Sequence, residues 1–394
     1  MKTYIKRDGN IPQIWIVIAI YLGYAGPVLL KYFYDVTGGG VEIFSLKDTS
    51  AFITYSTIWL MAIIPFFFGF GLAPKKIEYQ LPRDINKTLT ITIGLLAPIY
   101  VLVKALLARD GVYQNYAFDS DLMVGGVWSF SMFLSETFVL LFAFSLLAKN
   151  RKLAVICFLL ISINVLHGTR IFNFVSILIF AAWYITNQKF TKTVLLKMLL
   201  SFAGLMVCAM IVFLYRSDVD FLSVSFEEQL FYLFSPVVYE SVFSQTSLLD
   251  LANSAFGDST CDAIDFFWDF SSFVIPRILN EGKDAICLAR YSYMQPLGAF
   301  NGIFASYIYF GWWYFLYFFG YGLFLRGLRA AKSGKYFFNV IYFYCLANIS
   351  IRIVRDGPIL AGKYLANALV IVLLIFLLDK ALPYFRFSRS ALSN

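Results

Sequence analysis

The chain has 394 residues, of which 60% are hydrophobic, 19% aromatic and only 14% charged, and its mean hydropathy is +0.73. Soluble domains carry about 25% charged residues, so this composition excludes a soluble globular protein and indicates an all-α, polytopic integral membrane protein. The net charge of +8 does not indicate a nucleic-acid partner, because the lysines and arginines fall mostly in short connections, where they set membrane orientation.

Apolar segments that can cross a lipid bilayer recur along the whole chain. A spanning helix needs about 20 apolar residues. Seven such segments precede a long polar stretch, at 13–34, 50–72, 89–108, 122–148, 153–167, 170–187 and 194–215. Three more follow it, at 298–328, 336–352 and 363–382. We therefore predict an N-terminal bundle over 1–215 and a C-terminal bundle over 297–394, with ten spans in all.

Lysines and arginines cluster in every second connection and at both ends of the chain. Cytoplasmic loops are enriched in these residues, so we expect the even connections and both termini to lie in the cytoplasm. The odd connections, among them 109–122 and 216–296, then face outward.

The segment 216–296 is the one long stretch that cannot cross a bilayer. It is rich in carboxylates and aromatic residues, which is typical of short helices that lie on a membrane surface. Cys261 and Cys287 lie in it and can pair if the compartment is oxidising. We expect this loop to close over a site on the outer face of the bundle.

The segment 298–328 is about half as long again as a single span requires. It is interrupted at Phe310-Gly311-Trp312, and treating it as two full spans would place the basic connection that follows it outside. We therefore predict a half-helix over 298–310 and one span from Trp312. Non-helical backbone at membrane depth is tolerated where it lines a cavity or is buried in protein, so the break indicates a site beneath the loop.

Arginines at the outer ends of spans and in the large loop are the main candidate site. A guanidinium group binds phosphate in a forked geometry, and outward-facing basic residues oppose the usual orientation bias. We expect a pyrophosphate-binding ring at the outer boundary, formed by Arg170, Arg216, Arg277, Arg290, Arg352 and Arg355. The alternative for each arginine is snorkelling toward lipid phosphates.

Three residues are candidates for proton transfer. Glu240 lies in an apolar, aromatic context, where burial raises the pKa of a carboxyl toward that of a general base; a solvated helix face is the alternative. His167, the only histidine, is either a helix cap or a catalytic residue. Glu136 lies near the middle of a span, where an ionisable residue indicates function, unless it is protonated or bonded to a nearby serine or threonine.

Several sites are not expected, because their motifs are missing. The sequence has no Walker A, GxGxxG or suitably placed DxD motif, and its cytoplasmic connections are too short for a nucleotide-binding domain. With one histidine and no CxxC or HExxH motif, it predicts no protein-built metal site. We expect no cofactor, and any group donor must be carried by a lipid and approached from outside.

The chain resembles the bacterial O-antigen polymerases of the Wzy type, which join lipid-linked oligosaccharide repeat units. The resemblance rests on GTR at 168–170, Arg216 before the large loop, SPVVYE at 235–240, the aromatic block at 301–322 and RDGP at 355–358. It implies a GT-C-type fold with one large periplasmic loop. It also implies a metal-independent glycosyltransferase of lipopolysaccharide biosynthesis, in the inner membrane, that transfers the glycan from undecaprenyl pyrophosphate to an incoming repeat unit.

Carried over by position, the resemblance implies that pyrophosphate is held by Arg170, Arg216, Arg277, Arg290 and Arg355. It leaves the base unsettled, and we prefer Glu240 from its apolar context. It leaves open whether a polysaccharide chain-length regulator binds. The related ligases use a histidine near the end of the outer loop, and this chain has none there, which favours a polymerase. An O-antigen ligase remains an alternative, as does a lipid-linked oligosaccharide flippase or transporter that depends on Glu136.

We expect Arg170→Ala and Arg277→Ala each to lower activity strongly, because each removes a positive charge from the predicted pyrophosphate site, whereas Arg109→Ala does not. The measurement is extension of a lipid-linked repeat unit by purified protein in detergent. Equal activity of all three variants would remove the pyrophosphate argument.

Overall fold

The computed structural model of the protein describes residues 4–5, 13–34, 46, 48–71, 79–82, 84–109, 126–166, 169, 171–187, 261–274, 287, 301–331 and 334–391, with single positions or short runs between 191 and 253. Six helices occupy the N-terminal part: α1 Ile14–Tyr34, α2 Thr49–Phe70, α3 Ile85–Arg109, α4 Gly126–Leu147, α5 Arg151–Leu166 and α6 Ile171–Asn187. A short helix, α7, spans Ala263–Val274.

The C-terminal part contains five helices: α8 Gly302–Phe310, α9 Tyr314–Ala331, α10 Tyr336–Tyr344, α11 Ser350–Arg355 and α12 Gly357–Ala391. A 3₁₀ turn at Gly311–Trp313 joins α8 to α9, and a π-helical turn at Cys345–Ile349 joins α10 to α11.

The prediction of a helical membrane protein is confirmed. Among the described residues, six helices are long and apolar enough to cross a membrane: Thr49–Phe70, Ile85–Leu107, Val127–Leu147, Gly302–Ala330, Tyr336–Arg355 and Gly357–Leu382. Two shorter apolar helices, Ile14–Leu29 and Ile171–Thr186, accompany them. The predicted span at 194–215 lies largely outside the described residues.

The last helix begins six residues earlier than the predicted start of the span at Lys363. Gly357 adopts a φ of +89°, which is favourable only for a residue without a Cβ atom. Pro358 then occupies the first turn of α12, where its missing N–H removes no helical hydrogen bond. The Gly-Pro pair therefore starts the helix, although the sequence prediction placed it in a loop.

Two segments form the centre of the bundle: α4, and the continuous run from α10 through the π-turn to α11. The residues of α4 from Leu134 to Leu147 are buried, as are those of the other segment from Asn339 to Val354. Helix α4 is apolar on all sides, as expected for a helix enclosed by other helices. It packs against α3, α5, α6, α10 and α12. The other long helices leave one face of large apolar side chains exposed, as expected for contact with lipid.

Helices α2 and α9 pack closely because glycines face each other between them. A Cβ atom at Gly322 would overlap the carbonyl oxygen of Phe66 and lie 2.9 Å from the amide nitrogen of Phe70. A Cβ atom at Gly69 would lie 2.9 Å from the amide nitrogen of Leu323. Small residues at such contacts let the backbones of two membrane helices approach each other.

A small sheet of two-residue strands joins three connections of this otherwise helical protein. Strand β1 Tyr4–Ile5 pairs antiparallel with β2 Tyr79–Gln80, and β2 pairs parallel with β3 Gly334–Lys335. Each strand has only two residues, which is too short for the alternating apolar pattern that would predict a strand from the sequence. The N-terminus and the second and eighth connections, all predicted to be cytoplasmic, therefore lie at one end of the bundle.

The predicted break after Phe310 is confirmed. Helix α8 ends at Gly311, which has a φ of +53°, and α9 begins at Tyr314. The residues of α8 from Gly302 to Tyr309 are buried, whereas the interruption itself, Gly311–Trp313, contains no buried residue. Gly302 lies directly against the carbonyl oxygen of Ile353, so α8 contacts the end of the central segment.

Helix α7 is fastened to α8 and α12. Cys261 and Cys287 form a disulfide with a Cα–Cα distance of 6.1 Å. The Cys287 N–H donates to Asp269 Oδ2 at 2.8 Å, and the Tyr309 hydroxyl donates to the same oxygen. Phe270 packs against Gly362. Helix α7, over Ala263–Val274, therefore packs on α8 and α12, while its side chains Ile264, Phe267 and Trp268 are exposed.

We expect Gly322→Ala to lower the free energy of unfolding by about 1–3 kcal/mol, because the new methyl group overpacks the α2–α9 contact. The matched control is Gly320→Ala, two residues earlier in the same helix, where a Cβ atom meets open space. This control should be neutral or slightly stabilising. Thermal unfolding in detergent measures both, and equal midpoints would contradict the packing described.

Candidate functional site

The turn between α11 and α12 carries a buried group of charged residues. Arg352 Nη1 donates to Asp356 Oδ2, and Arg355 Nη1 donates to Asp356 Oδ1 at 2.7 Å. Burial alone raises the pKa of the Asp356 carboxyl, but the charges of Arg355 and Arg352 outweigh it and hold the pKa below its ordinary value. Asp356 is therefore ionised and fixes the position of both guanidinium groups.

These contacts use only part of the hydrogen-bonding capacity of Arg352. It is 3% exposed, and its guanidinium carbon lies 4.1 Å from the ring centroid of Tyr364 and 5.8 Å from that of Phe172. Its Nε and Nη2 atoms have no hydrogen-bond partner among the described residues. A buried donor without a partner is costly, so these two nitrogens make Arg352 a candidate position for binding an anion.

Glu136, near the middle of α4, lies in a second buried polar group. The hydroxyl of Tyr344 donates to Glu136 Oε1, and Asn367 Nδ2 donates to Oε2 at 3.2 Å. Asn348 Nδ2 donates in turn to the Tyr344 hydroxyl. Glu136 is 1% exposed. Helices α4 and α12 and the π-turn thus bring their polar groups to one place in the interior of the bundle.

The π-turn at Cys345–Ile349 positions Asn348. A π-turn holds one residue more than the same length of α-helix, which turns the following side chains, and such turns occur frequently at functional sites. The carbonyl oxygen of Cys345 accepts a hydrogen bond from the Tyr321 hydroxyl at 2.8 Å. The Asn348 Oδ1 atom has no partner among the described residues, so this group, like Arg352, has unused hydrogen-bonding capacity.

The two groups adjoin each other along α12. Arg352 lies over the ring of Tyr364, with its guanidinium carbon 4.1 Å from the ring centroid, and Asn367, three residues farther along α12, bonds to Glu136. Together they contain three cationic and two anionic side chains, so positive charge is in excess. We refer to these residues as the central cluster: Glu136, Tyr344, Asn348, Arg352, Arg355, Asp356, Lys363, Tyr364 and Asn367. Such a cluster binds an anion or carries a proton.

The structure brings together two of the arginines that the sequence predicted for the site, Arg352 and Arg355. The other predicted site residues lie outside the described part of the chain: Glu240, His167, Arg170, Arg216, Arg277 and Arg290.

The alternative of a bond from Glu136 to Ser131, Ser135 or Thr137 is not what the structure has, because Glu136 bonds to Tyr344 and Asn367 on other helices. Ser135, one residue earlier, lies about 100° away around α4, and its hydroxyl donates to Asn164 Oδ1 at 3.1 Å. The sequence analysis missed Tyr344, Asn348 and Asn367; the signal that marks the two asparagines is an amide side chain within an apolar span.

Comparison with known proteins identifies no relative: no family model matches the chain, and neither does any curated protein or solved structure.

We expect Asp356→Ala to lower the free energy of unfolding by about 3–5 kcal/mol, because it leaves the buried Arg352 without its counter-ion. The control is the double variant Arg352→Met/Asp356→Leu, which replaces the pair with apolar groups and should restore most of the stability. Thermal unfolding in detergent measures both. If Asp356→Ala were as stable as the wild type, Asp356 would not compensate the charge of the arginines.

Proposed function

We propose that the protein is a metal-independent glycosyltransferase that polymerises undecaprenyl-pyrophosphate-linked oligosaccharide repeat units at the periplasmic face of the bacterial inner membrane. One observation carries the proposal: Arg352 is a buried cation, fixed by Asp356, that keeps two guanidinium nitrogens without partners among the described residues. A pyrophosphate oxygen is an acceptor of the right charge for these donors. A GT-C-type fold is part of the proposal.

In the proposed reaction, a hydroxyl oxygen of the acceptor sugar attacks the anomeric carbon of the donor. The bond from that carbon to the pyrophosphate oxygen breaks, and undecaprenyl pyrophosphate leaves with the bonding electrons. Negative charge therefore grows on the leaving group, where Arg352 and Arg355 would stabilise it. The hydroxyl proton passes to a carboxylate, and Glu240, although outside the described residues, remains the predicted base.

The disulfide supports the outward orientation of the large loop. Disulfides form and persist in oxidising compartments and are rare in the cytosol, and Cys261 and Cys287 both belong to the 216–296 segment. Helix α7, which the disulfide adjoins, packs on α8 and α12, the helix that begins directly after Asp356. A cover in this position would exclude water from the donor and suppress its hydrolysis.

A transporter for a lipid-linked oligosaccharide is the second candidate, and Glu136 is the observation that favours it. A buried carboxylate near the middle of a spanning helix, bonded to residues of two other helices, is the kind of group that carries protons in transporters. The two candidates differ in which residue is required, since polymerisation depends on Arg352 and transport on Glu136.

The test is extension of a purified lipid-linked repeat unit in detergent, without nucleotide, by three variants. Arg352→Met should reduce the rate by about 100-fold or more, the scale for losing one group that stabilises developing charge. The control is Arg326→Met, which removes an exposed arginine of α9 and should leave the rate unchanged. Glu136→Gln should also retain activity.

Unextended substrate after prolonged incubation with the wild-type protein would overturn the enzyme proposal. Lipid-linked oligosaccharide transport in proteoliposomes that is abolished by Glu136→Gln and unaffected by Arg352→Met would establish the transporter instead.

A further inference from the structure

The outward face of helix α7 is apolar. Ile264, Phe267 and Trp268 are 65%, 68% and 59% exposed, and their spacing of three and four residues puts them on one side of the helix. The two carboxylates of α7 lie elsewhere: Asp265 is in its first turn, and Asp269 is 3% exposed. A helix that borders water exposes its charged residues and buries its apolar ones, so α7 has the reverse arrangement.

Asp269 lies on the side of α7 that faces the protein. It follows Phe267 by two residues, which corresponds to about 200° around the helix. Its Oδ2 atom accepts from the Tyr309 hydroxyl and from the Cys287 N–H, the latter at 2.8 Å. Hydrocarbon offers no partner to a polar group, so a carboxylate that is bonded inside the protein suits a helix in contact with lipid.

Helix α7 lies on the lipid-facing side of α12. The ring of Phe270 occupies the space that a Cβ atom at Gly362 would need. Leu369 and Leu373 come two and three turns after Gly362, and therefore on the same side of α12. Both are about half exposed, as expected for contact with lipid. The side of α12 that carries α7 is therefore the side that faces lipid farther along the helix.

The contact between α7 and α12 lies at the depth of the hydrocarbon core. Gly362 precedes Asn367 by five residues, which corresponds to about 7.5 Å along the helix axis. Asn367 bonds to Glu136, near the middle of α4. The hydrocarbon core extends about 15 Å on either side of its centre. Phe270 thus meets α12 below the level of the headgroups.

We propose that α7 is immersed in the outer leaflet of the membrane, where Ile264, Phe267 and Trp268 contact lipid acyl chains. Its outward face then continues the lipid-facing side of α12 without a break. Part of the 216–296 segment, which is too polar to cross a bilayer, thereby enters one. The proposal does not depend on the polymerase activity, because none of the residues in contact with lipid belongs to the central cluster.

The turn after α8 extends the same surface toward the headgroups. The ring of Phe266 lies 5.0 Å from that of Phe310, and Trp312 and Trp313, which follow, are exposed. Helix α9 has 18 residues and is therefore about 27 Å long, close to the core thickness of about 30 Å. The turn that precedes it lies near the boundary of the core, where tryptophan is enriched.

The test is electron paramagnetic resonance of the full-length protein in vesicles of phosphatidylethanolamine and phosphatidylglycerol. A spin label is attached to Phe267→Cys; the two free cysteines of the wild type are buried and do not compete for it. Oxygen concentrates in hydrocarbon, whereas a nickel chelate stays in water. We expect collisions with oxygen to exceed those with nickel severalfold, as for Leu373→Cys, the matched control on the lipid-facing side of α12.

The control for water is Lys152→Cys, at an exposed position near the start of α5, where collisions with nickel should prevail. If the label at Phe267→Cys behaved like this control, α7 would lie in water. If neither reagent reached the label, a second copy or another protein would cover α7. Either result would overturn the proposal.

A second measurement needs no label. Bromine atoms on lipid acyl chains quench the fluorescence of tryptophans that touch them. In brominated vesicles, Trp268→Phe should lower the quenched fraction of the fluorescence, because it removes an emitter in contact with lipid. Trp59→Phe should raise that fraction, because Trp59 is buried. A quenched fraction that Trp268→Phe leaves unchanged would contradict immersion of α7.

Discussion

The bond between Arg352 and Asp356 is the interaction on which the interior of this protein depends. Both side chains are nearly inaccessible to solvent, and an unpaired charge at such a place costs several kcal/mol. Asp356 neutralises one of the two arginines beside it and orients both. A net positive charge remains, and the Nε and Nη2 atoms of Arg352 have no hydrogen-bond partner among the described residues.

The architecture around this pair combines a rigid centre with interrupted helices. Helix α4 and the run from α10 to α11 are buried on nearly all sides, so the groups they carry are held by packing. The π-turn at Cys345–Ile349 is fully buried, so its irregular backbone is shielded from lipid, whereas the break at Gly311–Trp313 contains no buried residue. A second buried cation, Lys104 of α3, has no hydrogen-bond partner for its Nζ atom among the described residues.

Much of the architecture was predictable from the sequence. A helix that crosses a bilayer needs a long apolar segment, and lysines and arginines collect in the connections on one side of the membrane. The break after Phe310 was recognised from the length of its segment, and Arg352 and Arg355 from their place at a span end. The contacts of Glu136 were not predictable, since they depend on which helix faces which. Neither was the π-turn, which has no marked residue pattern. Lys104 was detectable in principle, because one lysine within an apolar span requires the same explanation as Glu136.

The central claim is that Arg352 provides a phosphate-binding position inside the bundle. An electron cryomicroscopy map of the full-length protein with a bound polyprenyl diphosphate tests it most directly. The account predicts a phosphate oxygen within about 3 Å of Arg352 Nε or Nη2, with the Asp356 contact retained. A diphosphate bound elsewhere, with those two nitrogens still lacking any acceptor, would contradict it.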